Sequence, residues 1–267
     1  MTDITSDSLN TSATPLARVI DKWIWVFMAA LFIAITLIGF IPDSMMKMGL
    51  VETGQRPPFP LVLHVHAVLM GSFLLFLLTQ SVLMATGQRQ LHQSIGILGA
   101  LLAVALVIVG LVLVPTMYHQ AWDAAQVAPP EARAGILQGL RIADDIMLLQ
   151  LRIGILFPVF VFTALAVRKT DSSLHKRFMF LAVAMALPAA FDRITWIPGT
   201  MPMSPLSPDL YVLLAVSPIF IWDLMRTHKV HKAYLIWLGV NIPLSIFIHT
   251  AWDSEWWHGI APKIVGL

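Results

Sequence analysis

"LVLHVHAVLMGSFLLFLLTQSVLM", Leu61–Met84, contains no charged side chain. A hydrocarbon core of about 30 Å takes roughly 20 apolar residues of helix to cross. This stretch therefore reads as a bilayer-spanning helix. Six more segments repeat the pattern, at 23–42, 93–117, 146–167, 176–197, 208–226 and 232–252. The expected fold class is all-α: a polytopic membrane protein of seven transmembrane helices within residues 22–258. Composition agrees, with 58% hydrophobic and only 12% charged residues, against about 25% charged in a soluble domain.

The flanks read differently. Residues 1–21 are rich in Thr, Ser and Asp and are expected to form a disordered cytoplasmic tail; residues 259–267 are expected to form an outer tail. The uncharged run Trp23–Pro42 outlasts the apolar stretch of about 7–15 residues in a secretory signal, so it reads as a retained span. The absence of cysteine excludes disulfides, Cys-ligated clusters and thioether-attached haem. No nucleotide-binding glycine motif is present. A net charge of +2 gives no reason to expect nucleic acid, so the bilayer is the one partner the residues name. Pro158, Pro188 and Pro243 fall inside spans four, five and seven, where each should kink its helix.

Cations set the orientation. Arg18, Lys22, Arg89, Arg168, Lys169, Lys176, Arg177, Arg226, Lys229 and Lys232 fall on the N-terminal side, in short connections. The opposite side carries most of the acids, among them Asp43, Glu52, Asp123, Asp144, Asp145, Asp192, Asp209 and Asp253. The expectation is a bacterial inner (plasma) membrane protein, N-terminus in and C-terminus out.

Polar residues inside spans mark candidate sites. A helix from Leu61 turns His64 and His66 about 200° apart, so they cannot share an ion unless the entry is extended. Gln80 lies within about 40° of the His66 face, which makes that face interior. In "NIPLSIFIHTAWD", Ser245, His249 and Asp253 recur at helical spacing, with Asn241 a turn earlier. Neutral imidazole is a common metal ligand, and a carboxylate beside it a common co-ligand or orienting group. The expected cofactor ligands are His66 and His249, bridging spans two and seven. They would hold a b-type haem or, with Asp253 or Asp192, a divalent metal. Gln80, Asp145, Arg152, Arg193 and Ser245 are expected to form the surrounding polar network, with Asp145 and Asp192 pairing Arg152. A cofactor-free network is equally open. On the N-terminal side, "QRQLHQSIG", "TDSSLHKRFM" and "RTHKVHKAYL" place His92, His175 and His231 at similar hairpin turns. They read as interfacial anchors, or with His228 as a metal or proton site.

The stretch "LHVHAVLMGSFLLFLLTQSVLMATGQRQLHQSIGILGA", with "LHKRFMFLA", "DLMRTHKVHKA" and "TAW" at Thr250–Trp252, resembles a family of multi-pass bacterial membrane proteins. That family carries an L-H-x-H … Q … L-H-x-x-x-G pattern. The resemblance covers roughly residues 30–252 and implies the architecture without implying an activity. The S-x-x-x-H step at Ser245–His249 is similar to one element of seven-helix membrane hydrolases. Those pair it with H-x-x-x-H, where this chain has His249 and Asp253. The functional expectation is a metal- or haem-associated redox or accessory protein with an outer-facing His/Asp pocket. The alternatives are a cofactor-free accessory or assembly protein, then a metal-dependent membrane hydrolase.

Overall fold

The computed structural model describes residues 14–267. Residues 1–13, most of the expected tail, lie outside the described residues. Ten helices follow in order: α1 Pro15–Glu52, α2 Leu61–Ala85, α3 Arg89–Val127, α4 Pro130–Val167, α5 Ser172–Ala184, α6 Pro188–Phe191, α7 Leu206–Thr227, α8 Lys232–Ala251, α9 Glu255–His258 and α10 Ala261–Ile264. Seven segments are long and apolar enough to cross a membrane, α5 and α6 counting together as the fifth. The seven-helix architecture fits a multi-pass membrane protein.

Three helices outrun their apolar stretches. α1, α3 and α4 have 38, 39 and 38 residues, about 57 Å each at 1.5 Å per residue, nearly twice a hydrocarbon core. α1 starts early because Thr14 caps it, accepting the Ala17 N–H at 3.3 Å, with Pro15 at the first helical position. Residues 15–21 are therefore helical rather than tail. Pro42, read as the end of the first span, sits inside α1, which continues through an Asp43–Lys47 ion pair one turn apart at 2.8 Å. α4 begins at Pro130 with Glu131 in its first turn, both suited to a helix N-terminus. It reaches its apolar part only after several polar turns.

The packing forms a ring with a centre. α1, α2, α3, α4, α8 and α7 follow one another around the bundle, each packed on the next and α7 on α1. Inside them α5 packs on α4, α8, α7 and α1. Of the fifth span's apolar window 67% is buried, against 17–44% for the other six, which fixes α5 as the centre. Many Leu, Ile and Val side chains of the ring point outward, such as Leu75, Leu111 and Leu214, as a bilayer-facing surface requires.

The fifth span does not run to residue 197. Pro188 has no N–H to continue the ladder, so Met185, Ala186 and Leu187 tighten into bonds three residues back, to Ala182, Val183 and Ala184. One further turn, α6, ends at Phe191, and 192–205 form a loop rich in proline. α6 lies so close to α1 that a Cβ added at Gly39 would sit 2.3 Å from the Ala190 carbonyl oxygen.

A second core lies at the C-terminal end of the bundle. Tyr118 and Ala125 of α3, Leu140 and Met147 of α4 and Trp257, Ala261 and Val265 of the last segment are buried together. Residues 259–267, expected as a tail, pack there because they bring their own apolar side chains. The His119 imidazole meets the Val265 carbonyl at 2.8 Å.

Candidate functional site

A cavity of about 540 Å³ lies between α7 and α8 and is lined also by Arg152 of α4 and by Ala184, Met185 and Pro188 at the break in the fifth span. The Pro188 break makes room for it. Lining residues on α8 run from Trp237 to Thr250, about 20 Å of helix, so the cavity is elongated. Most of its walls are apolar. Leu210 and Leu213 of α7 and Ile242 and Ile246 of α8 line it and are also exposed on the outer surface. The cavity therefore opens sideways, through the apolar belt.

Its polar groups gather toward one end. The Arg152 side chain is 3% exposed and forks onto Asp209 in the first turn of α7, donating Nη2–H to Oδ1 at 2.6 Å and Nη1–H to Oδ2 at 3.3 Å. Nη1 also donates to the Ser245 hydroxyl at 2.7 Å. His249 Nε2 stands 3.7 Å from Asp209 Oδ2, an ion-pair distance too long for a hydrogen bond. Its ring thus keeps its hydrogen-bonding capacity. The charges of Arg152 and Asp209 cancel, which favours an uncharged polar group over an ion here. Two buried donors, Trp237 Nε1 and Arg152 Nε, have no acceptor among the described residues, a cost of about 1–3 kcal/mol each unless one is supplied. Trp237 lines the cavity.

The expected site residues divide among several places. Arg152, Ser245 and His249 meet in the cavity, with Asp209 as the carboxylate in place of Asp145 and Asp192. Asp145 lies two turns beyond Arg152 on the same helix, about 10 Å along the axis, and accepts the Asp253 N–H at 2.8 Å instead. Asp192 follows α6, where burial holds its carboxyl above the usual range despite Arg193 and Lys47 nearby. Arg193 pairs with Asp43 at 3.3 Å and lies over the Phe40 ring.

α2 is helical from Leu61, which removes the extended entry. His64 is exposed and His66 half-buried. The His66 Nδ1 and both amide atoms of Gln80 are buried without a partner among the described residues. His66 and His249 do not face each other: α2 packs mainly on α1 and α3, and α8 on α4, α5 and α7. Asp253 turns away from His249 at φ 52° toward His258 and Arg141.

At the N-terminal end a second buried Arg–Asp pair appears, absent from the sequence expectations. Arg177 of α5 donates Nε–H and Nη2–H to Asp223 of α7 at 2.7 and 2.6 Å, and the Tyr234 hydroxyl of α8 also donates to Asp223. Its signal was available: a lone acid in the apolar run "LLAVSPIFIWD" must find a cation. The terminal histidines serve the turns. His231 Nδ1 accepts the Ala233 N–H at 3.1 Å, and burial pushes its pKa down to about 4, helped by Arg177. His228 closes α7 with a left-handed φ of 53°, and His175 Nδ1 lies 2.9 Å from the Ala164 carbonyl. His92 is half-buried beside Gln80. Among the described residues none of these joins a cluster with metal-ligand spacing.

No family model, curated protein or solved structure matches this chain.

Proposed function

We propose that this is a bacterial inner-membrane protein, N-terminus in, that binds an uncharged, single-chain amphiphile from the bilayer in the cavity between α7 and α8. One observation carries the reading. An elongated apolar cavity opens through the apolar belt and is closed at its polar end by a neutralised Arg–Asp pair, a serine and an imidazole. Pockets of this size are mostly apolar with few polar groups that fix orientation. The head, a hydroxyl, ester or quinone-type carbonyl, would lie by His249 and Ser245 and the chain toward Trp237. His249 beside Asp209 could also pass a proton to such a head, which keeps a redox or accessory role within the proposal. A haem bridged by His66 and His249 is not favoured, because their helices do not pack substantially on each other. The orientation rests on the cations gathered in the short N-terminal-side connections.

The test is equilibrium binding of a radiolabelled long-chain alcohol to the purified full chain in detergent. Saturation near one per chain is expected, with loss in Ser245→Phe, which fills the polar end, and no change in the remote Asp123→Asn. Unsaturable uptake, equal in both variants, would contradict the proposal. A periplasm-active reporter fused after Leu267 should be active, and one inserted near Asp171 silent; the opposite pattern reverses the orientation.

A further inference from the structure

Where α4 meets the C-terminal segment, two adjacent carboxylates are buried, Asp144 at 4% and Asp145 at 5% exposure. Among the described residues, no lysine or arginine pairs with either; Arg141 reaches Asp253 and Glu255 instead. Buried carboxylates without positive charge are costly. Asp144 is served by two donors, the Tyr118 hydroxyl at 2.7 Å and His258 Nδ1 at 2.9 Å. An ionised carboxylate can only accept, so the bond to Asp144 puts a proton on Nδ1; in the neutral tautomer Nε2 then presents a lone pair. That lone pair faces more carboxylate. Nε2 is 3.4 Å from Asp253 Oδ1, and one donor atom each of Asp145, Asp253 and His258 lies within 4.8 Å of the other two. One Asp145 oxygen accepts the Asp253 N–H; the other has no donor among the described residues. Three electron-pair donors converge, and Arg141 meets them only on the Asp253 side, at 3.6 Å from Oδ1.

We infer that Asp145, Asp253 and His258 form a binding site for a divalent transition-metal ion of the zinc or manganese type. One imidazole and two carboxylates make a borderline ligand set suited to these ions. Neighbouring ligands of a tetrahedral ion with bonds of about 2.1 Å stand roughly 3.4 Å apart, the separation of Nε2 and Oδ1. Asp144 is a positioning residue: it holds the imidazole with Nε2 toward the ion, as outer carboxylates do for metal-binding histidines. Asp253 is exposed and leaves the remaining positions to water. The ion ties α4 to α9, and so closes the second core. This site is separate from the cavity, and its test is independent of that proposal.

The full chain in detergent, stripped with EDTA and dialysed, is titrated calorimetrically with zinc chloride and with manganese chloride. One ion per chain is expected for at least one metal, with a rise in thermal midpoint on loading. Asp253→Asn lies at the surface, and asparagine tolerates its left-handed backbone, so this variant keeps the fold while weakening binding at least about tenfold. Asp144→Asn should weaken it by about 10–100-fold, and Asp123→Asn should leave it unchanged. Absence of saturable binding of both metals to the unaltered chain, or unchanged affinity in Asp253→Asn, would overturn the inference.

Discussion

Arg152 and Asp209 show what a buried ion pair demands of its neighbours. The guanidinium sits in a region where an unpaired charge is expensive, so it takes the nearest carboxylate whose helix starts at the right depth. Removing one partner strands the other, which costs about 3–5 kcal/mol, whereas removing both for apolar residues of similar volume costs far less. Arg152→Leu should therefore destabilise the chain by that amount in detergent unfolding, and Arg152→Leu with Asp209→Leu by clearly less than the two single losses added. Strict additivity would show that the pair is not coupled. At this scale the sequence was partly legible. That Arg152 needed an acid followed from its place in an apolar run; which acid did not. Asp145 shares its helix and Asp209 lies 57 positions away, joined only by how α4 and α7 pack. His249 and Ser245 were legible because one helix carries both.

Among elements, length and interruption decide what is built. The apolar runs were read correctly as helices, but their ends were not, because capping and local ion pairs carry a helix past the apolar stretch. Thr14 does this for α1 and the Asp43–Lys47 pair prolongs it. The proline in the fifth span was legible as a kink, yet its consequence was larger: it ended α5, made α6 and opened the cavity. α7 ties both ends of the bundle. Asp209 and Asp223 lie 14 residues apart, within about 40° of one face, and each holds an arginine from a different helix. The contact of α1 with α6 gives a sharp prediction. Gly39→Ala forces a methyl into the Ala190 carbonyl, which backbone movement alone can relieve, at about 1–3 kcal/mol. Gly49, on the same helix, has nothing within 4 Å of an added Cβ, so Gly49→Ala should be neutral or stabilising by about 0.5–1 kcal/mol. Thermal unfolding of the two variants side by side checks this; equal midpoints would mean that α6 does not press on α1.

For the whole molecule, the arrangement around α5 explains why the candidate site was half visible. Periodicity tells which face of a helix is interior, so His66 and His249 both read as inward. It does not tell which interior they share. The ring places α2 and α8 apart, and a site drawn across them separates into a cavity beside α8 and an imidazole on α2 whose Nδ1 has no partner among the described residues. The C-terminal residues were opaque for a related reason: their apolar side chains are too few for a span, and the surface that buries them is made by α3 and α4 outside the apolar belt.

The cavity between α7 and α8 is proposed to take its ligand from the bilayer. Photolabelling the full chain in native membranes with a diazirine-bearing long-chain alcohol, followed by peptide mapping, tests it most directly. Labels should concentrate on Leu206–Leu213 and Trp237–Thr250, be competed by unlabelled alcohol and be lost in Ser245→Phe. Labels spread evenly over the exposed apolar faces of all seven spans, and unaffected by either treatment, would contradict it.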